Sequence, residues 1–255
     1  MRRIPHAALL AAIWAGAARA DVPETIVPVF PEVGFGGYSG PSPVGGAGTG
    51  TTGATGGIPD TGVGTVVVGE GGQTAAMTNM LAQSYGQTAV ATAERIGVSA
   101  QTTAAIGQAE SNWRNVPTAN GTSAATGPWQ IVPGTFTATS TRYGLGYTAA
   151  DIDNPEAQAV VANYYIHETA QAVSAATGKP ATTLQTWNGY VFGPTNGAQI
   201  AVSPNETPLR DVVPARFISN NNLPADITVG QLNARYADRL GPAAYQPALT
   251  SRVGS

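Results

Sequence analysis

Glu110 is the residue of this chain best placed to do chemistry. It stands at the end of a helix-like run, in A-E-S-N-W at 109–113, and a loop rich in Gly, Asn, Thr and Ser leads on to G-P-W-Q-I-V-P-G-T at 127–135. A single carboxyl can give and retake a proton if it stays protonated until needed. That requires a poorly solvated setting, which raises its pKa. Ile106 one turn before and Trp113 one turn after are suited to shield it. Taken alone, an E-S pair on a helix is most simply an exposed glutamate. The order of Gly127, Gln130, Ile131, Pro133 and Thr135 downstream singles this one out. Gly127 suits a close backbone approach to a cleft, Gln130 offers both a donor and an acceptor, and Pro133 opens a helix.

Other chemistries find little support. Other acids of the helical region include Glu94, Asp151, Asp153, Glu156 and Glu168, and Asp153 and Glu156 are explained by their place at a helix start. There is no cysteine, so thiol catalysis, disulfides and thiolate metal sites are excluded. His167 is the one histidine beyond the first 20 residues, so no His-rich metal site is expected, nor any cofactor. A serine hydrolase using His167 would need a nucleophile on a sharp turn such as G-x-S-x-G, and none is present.

The elements that must position Glu110 are helical. From residue 73 onward, alanines, Val90, Ile96 and Ile106 recur at helical spacing. The pattern predicts helices over 74–84, 87–96 and 100–110, the last with Ser99 as N-cap. Pro133 opens another through Tyr143. Asn154-Pro155-Glu156 supplies a cap, a first-turn proline and an acid for a long helix to Ala176, stopped at Gly178. A helix from Pro180 to Asn188, a loop over 193–214 with a single helical turn, and a last helix over 227–240 capped by Thr228 complete an all-α domain at 73–250.

These stretches together resemble the soluble lytic transglycosylases, the lysozyme-like SLT-domain family, in its phage-like and secretion-associated branch. The family pattern runs E-S, a polar loop, then G-L-M-Q-I-x-P-x-T. The lead-in AERIGVSAQTTAAIGQAES, the segment DIDNPEAQAVVANYY and the stretch LQTWNGYVFGPTNGA resemble its other shared elements, so the likeness covers 76–240. It implies a lysozyme-like helical fold and an enzyme that cuts the MurNAc-GlcNAc β-1,4 bond of peptidoglycan, leaving 1,6-anhydromuramic ends. Glu110 would be its one acid/base, because the substrate's own acetamido group replaces the second carboxylate of ordinary glycosidases. Ser111, Ser123, Gln130, Trp129 and Tyr190 are the substrate-binding residues it implies.

There are departures. Pro128-Trp129 replaces Leu-Met, giving a bulkier and stiffer cleft wall. The loop before Gly127 is longer than in the commonest form, and Ser123 is its candidate for contact with the substrate or the glutamate. Trp187-Asn188-Gly189-Tyr190 stands where the family has A-Y-N-A-G. Tyr190 is placed either to stack on a sugar or bond near Glu110, or only to pack. Tyr164 and Tyr165 are expected in the core and His167 at the surface. Two alternatives stay open: a goose-type lysozyme-like hydrolase, with Asp151, Asp153 or Asp226 holding a water, and a non-catalytic wall-binding assembly protein.

The N-terminus has the features of a secretory signal peptide over 1–20: Arg2 and Arg3, an apolar Ala7 to Ala17, and Ala18-Arg19-Ala20 before the cut. Its apolar run is shorter than the roughly 20 residues of a membrane span. Cleavage would remove three arginines and no acid, so nine basic residues would face 15 acids and the formal charge would move from −3 to −6. That argues against nucleic acid. Residues 33–72 hold 16 of the 32 glycines and no Lys or Arg, so 21–72 is expected to be an extended arm and flexible linker. A periplasmic or secreted location follows. The tether suits an enzyme held near an envelope-spanning secretion or conjugation complex, and suits a passive spacer equally well.

Overall fold

The computed structural model describes residues 74–115 and 124–250. The expected signal peptide over 1–20, the expected arm and linker over 21–72, and Ser123 lie outside them. Nine α-helices are present among the described residues, with isolated bridges and no named strand. They are α1 (Ala75–Leu81), α2 (Gly86–Ile96), α3 (Ala100–Ser111), α4 (Pro133–Tyr143), α5 (Pro155–Thr177), α6 (Thr183–Phe192), α7 (Pro194–Val202), α8 (Ala215–Asn220) and α9 (Val229–Leu240). The fold is all-α, in keeping with the lysozyme-like domain that the resemblance implied.

Local signals set most of the boundaries. The Asn154 side chain accepts from the backbone N–H of Glu156 at 2.9 Å and of Ala157 at 3.4 Å, and Pro155 takes the first helical position of α5. Thr228 and Gln231 form a reciprocal cap on α9. Pro133 opens α4, which stops at Gly144. Ser99 precedes α3 in extended backbone, but its side chain makes no capping bond.

Two expectations need correction. The helix expected from Pro180 to Asn188 begins at Thr183, behind a Thr182–Gln185 capping box, and runs on to Phe192. The expected loop after Gly193 contains a nine-residue helix, α7. Thr, Asn and Gly give α7 little intrinsic helix preference, and packing supplies what propensity does not. A Cβ on Gly197 would lie 2.2 Å from the Cα of Gly189, so the paired glycines let α6 and α7 meet backbone to backbone.

The 23-residue α5 is the central post, with α2, α4, α6 and α7 packed around it. Beside it runs α3, buried on nearly every face from Thr102 to Ser111 and in contact with α1, α2, α5, α6 and α9. Its side chains are mostly Ala, Thr and Gly, so neighbours approach closely, and its buried threonines are paired. Thr103 donates to Asn163 Oδ1 on α5 at 2.6 Å, and the Thr102 and Thr183 hydroxyls share a bond of 2.7 Å. Asn163 in turn donates to the carbonyls of Ala89 and Ala159. A fully paired buried network of this kind fixes the register of α3 against its neighbours.

Candidate active site

Glu110 sits in the last turn of α3, and the helix ends directly after it. Asn112 and Trp113 both take left-handed backbone, with φ of 52° and 61°, turning the chain away beyond Ser111. The carboxyl is therefore held on a rigid helix yet close to its end, where the backbone dipole disfavours negative charge.

Its surroundings come from α6 and α9. The Trp187 indole Nε1 donates to Glu110 Oε1 at 2.6 Å, and Trp187 is wholly buried. The Tyr236 ring lies against that indole, with centroids 4.4 Å apart. The Arg239 guanidinium covers the same indole, with Cζ 5.1 Å from the ring centroid. Glu110 itself is 8% exposed, and its Oε2 has no hydrogen-bond partner among the described residues. Burial pushes the carboxyl up to about 7, while the Trp187 bond and the Arg239 charge pull it down. The groups that act on its ionisation include no second acid. An indole N–H can only donate, so Oε1 must accept and the proton of the neutral acid belongs on Oε2. The site thus presents one carboxyl, half protonated near neutral pH, with its proton on the unpartnered oxygen.

The turn after the loop is tied to α3. Thr126 and Ile131 exchange backbone hydrogen bonds of 3.2 Å, closing a tight loop over Gly127–Gln130. The Ser111 hydroxyl donates to the Pro128 carbonyl at 2.7 Å, and Tyr190 Oη donates to the Trp129 carbonyl at 2.7 Å. Gln130 has a φ of 46°, and its side-chain amide donates to the Gly127 carbonyl at 2.7 Å. Gly127 has a φ of 73°, and a Cβ there would fall 2.1 Å from the Gln158 amide. The close approach it permits is to α5, not to a cleft.

The expected site residues divide accordingly. Glu110, Ser111 and Tyr190 come together: the Glu110 charge raises the Tyr190 phenol after burial, as it does that of Tyr236. Ser111 and Tyr190 spend their hydroxyls on the backbone of the 127–130 turn. Trp129 does not line a wall. It is wholly buried, edge-on to Tyr85 and Trp113, and its indole donates to the Thr103 carbonyl. A large apolar ring next to a helix of small side chains gains more from filling that space than from facing solvent. Trp113, expected as a shield for Glu110, packs with Tyr85 and Trp129, and the contacts on the acid itself come from Trp187 and Arg239.

Residues 87–199 match the family described as the transglycosylase SLT domain. This chain carries an SLT domain. The match runs from α2 into α7 and contains Glu110, the 127–130 turn, Trp187 and Tyr190, while α9 lies outside it. Among solved structures, this chain is similar to an inactive mutant of the lytic transglycosylase Slt from Pseudomonas aeruginosa. That pair shares 21% identity over 64% of this chain and 25% of the other, with a TM-score of 0.39. It is similar also to the 70 kDa soluble lytic transglycosylase of Escherichia coli, with 19% identity over 66% of this chain and 26% of the other, and a TM-score of 0.39. The aligned part is thus about a quarter of either of those proteins. No curated protein matches the chain.

Trp187, Tyr236 and Arg239 were not among the residues that the sequence pointed to. Trp187 had a signal, because it stands immediately before Asn188 in the element resembling A-Y-N-A-G, where the family has tyrosine. Tyr236 and Arg239 had none, since they lie on an ordinary amphipathic helix beyond the family segment.

Proposed function

We propose that the SLT domain cleaves the glycan strands of peptidoglycan as a lytic transglycosylase, with Glu110 as its acid and base. The observation that carries this reading is the one buried acid among the described residues, whose Oε1 accepts the Trp187 indole and whose Oε2 is left for a proton. Oε2–H gives its proton to the glycosidic oxygen between MurNAc and GlcNAc as the C1–O bond breaks. The acetamido oxygen of the muramic sugar supports the electron-poor C1. The Glu110 carboxylate then takes the proton of the C6 hydroxyl of that same sugar. O6 bonds to C1, the acetamido group is released, and a 1,6-anhydro end forms while Glu110 regains its proton. No water is consumed, and no second carboxylate is required.

The proposed hydrolytic water-holders have other employment. Asp151 accepts from both the backbone N–H and the hydroxyl of Thr148 in a capping box, and Asp153 accepts from the Thr126 hydroxyl at 3.0 Å. Asp226 is exposed. Action on the wall goes with a periplasmic or secreted location after loss of 1–20, and a secretion or conjugation complex is the partner class that the tether suits. The test is digestion of purified sacculi followed by mass spectrometry. Anhydro-muropeptides are expected. Reducing ends alone would favour the lysozyme-like hydrolase, and intact sacculi the non-catalytic assembly protein.

A further inference from the structure

α9 lies beyond the family segment, yet one of its side chains touches both parts of the structure that hold the acid. Arg239 Nη2 donates to the carbonyl of Ala109, the residue before Glu110. Its Cζ stands 5.1 Å from the centroid of the Trp187 ring, and that indole donates to Glu110. Ala109 O belongs to the last turn of α3, whose carbonyls lack the full set of intrahelical partners. A cation there suits the negative end of the helix. Guanidinium can lie on an aromatic face and donate in its own plane at once, which an ammonium cannot.

We propose that Arg239 is a positioning residue for Glu110, clamping the last turn of α3 to the Trp187 indole so that Oε1 keeps its donor and the reacting oxygen is Oε2. The role in turnover rests on the reading of Glu110 as acid and base; the clamp itself does not. Tyr236 and Arg239 both lie against the Trp187 indole that holds the acid, and Arg239 is the charged one of the two. The titratable groups that face Glu110 from packed elements are Tyr190 of α6 and Tyr236 of α9, both held neutral by burial, and Arg239. α1 has no titratable side chain. Arg95 of α2 lies over Tyr164, and Glu168 of α5 pairs with Arg142. A positive charge on the exposed rim also makes the effect sensitive to salt.

The experiment compares the full chain with Arg239→Met and Arg239→Lys, each checked for its helical circular dichroism. Carboxyl carbon resonances follow the Glu110 titration, the indole N–H resonance follows Trp187, and kcat and KM are measured on sacculus glycan. Arg239→Met should move the Glu110 midpoint upward from about 7, shift the Trp187 indole resonance, and lower kcat by roughly ten- to a hundredfold with KM little changed, as misplacement of a reacting group does. Arg239→Lys should restore the midpoint more fully than kcat, because it restores charge without the planar fork. A folded Arg239→Met with an unmoved midpoint and indole resonance would overturn the proposal, as would a fall in melting temperature alone. If the parent protein leaves sacculi intact, the catalytic reading of Glu110 fails, and the two resonances still decide the clamp.

Discussion

Trp187 Nε1 and Glu110 Oε1 stand 2.6 Å apart, joining residues 77 positions distant in the chain through a bond sealed inside the domain. The bond gives the two carboxyl oxygens different work. It favours the ionised acid, while burial favours the neutral one, and burial wins. The outcome, a carboxyl near 7, is the condition in which one group serves as acid and then as base.

Trp187→Phe removes the donor and leaves Oε1 buried without a partner. One of the two influences that lower the Glu110 pKa is lost, so the midpoint should rise above about 7. The alkaline limb of the rate profile should move up with it. An unsatisfied buried acceptor costs about 1–3 kcal/mol, and urea unfolding at neutral pH should register a loss of that order. A pH profile identical to the parent would separate Trp187 from the acid.

Glu110→Gln tests the acid twice. It should lower cleavage of sacculi by roughly 10²–10⁴-fold, the usual worth of general acid–base catalysis. It should also stabilise the fold at neutral pH and above. The unfolded carboxyl titrates at its ordinary 4.5 and the folded one at about 7, so the unfolded chain ionises first and stability falls as pH rises through that window. Below 4.5 the penalty is absent. Gln carries no such penalty, and the variant should gain up to about 3 kcal/mol at pH 8, with the gain fading by pH 4. Equal unfolding curves at both pH values would show that the acid is not held neutral.

Local chemistry was legible in the sequence, and contacts between distant elements were not. Asn154-Pro155 and Thr228 announce α5 and α9 because a cap is made by residues next to each other. Glu110 stood out because its helix end and the 127–135 run lie close in the chain. α7 was missed because its helix depends on the approach of Gly197 to Gly189, which composition does not disclose. Trp129 was placed in the right motif and on the wrong side of it. Nothing local tells a cleft ring from a core ring, and the space beside Thr103 decides. Arg239 reaches Ala109 across 130 positions, and only the folded chain brings them together.

Gly127→Ala should break the turn without touching the acid. A Cβ would fall 2.1 Å from the Gln158 amide, in backbone with a φ of 73° that alanine resists. Gln158 has nowhere to retreat, since it is wholly buried and its amide donates to the carbonyls of Thr126 and Ile152. A left-handed strain and a clash together cost about 2–4 kcal/mol, measurable by denaturant unfolding. Ser111 and Tyr190 both bond to carbonyls of the 127–130 turn, so activity should fall as well. A variant as stable as the parent would mean that the turn and α5 can part at no cost.

Asp151→Asn separates the transglycosylase from the hydrolase. The Asp151 carboxyl is held below its usual range by the Thr148 backbone and hydroxyl bonds, so it is ionised at every pH where Glu110 titrates. A base with that pKa is a weak one, and its Oδ2 is already committed to a cap. Asn can still accept from Thr148, so the helical turn at 149–151 should survive with a small drop in melting temperature. If the acetamido group and the C6 hydroxyl of the substrate supply what a second carboxylate would, turnover of sacculi should match the parent and the anhydro ends should persist. Asp153→Asn should behave likewise, because Asp153 serves Thr126. A hundredfold loss in either variant, with reducing ends replacing anhydro ends in the parent digest, would move the chemistry to a water held by that aspartate.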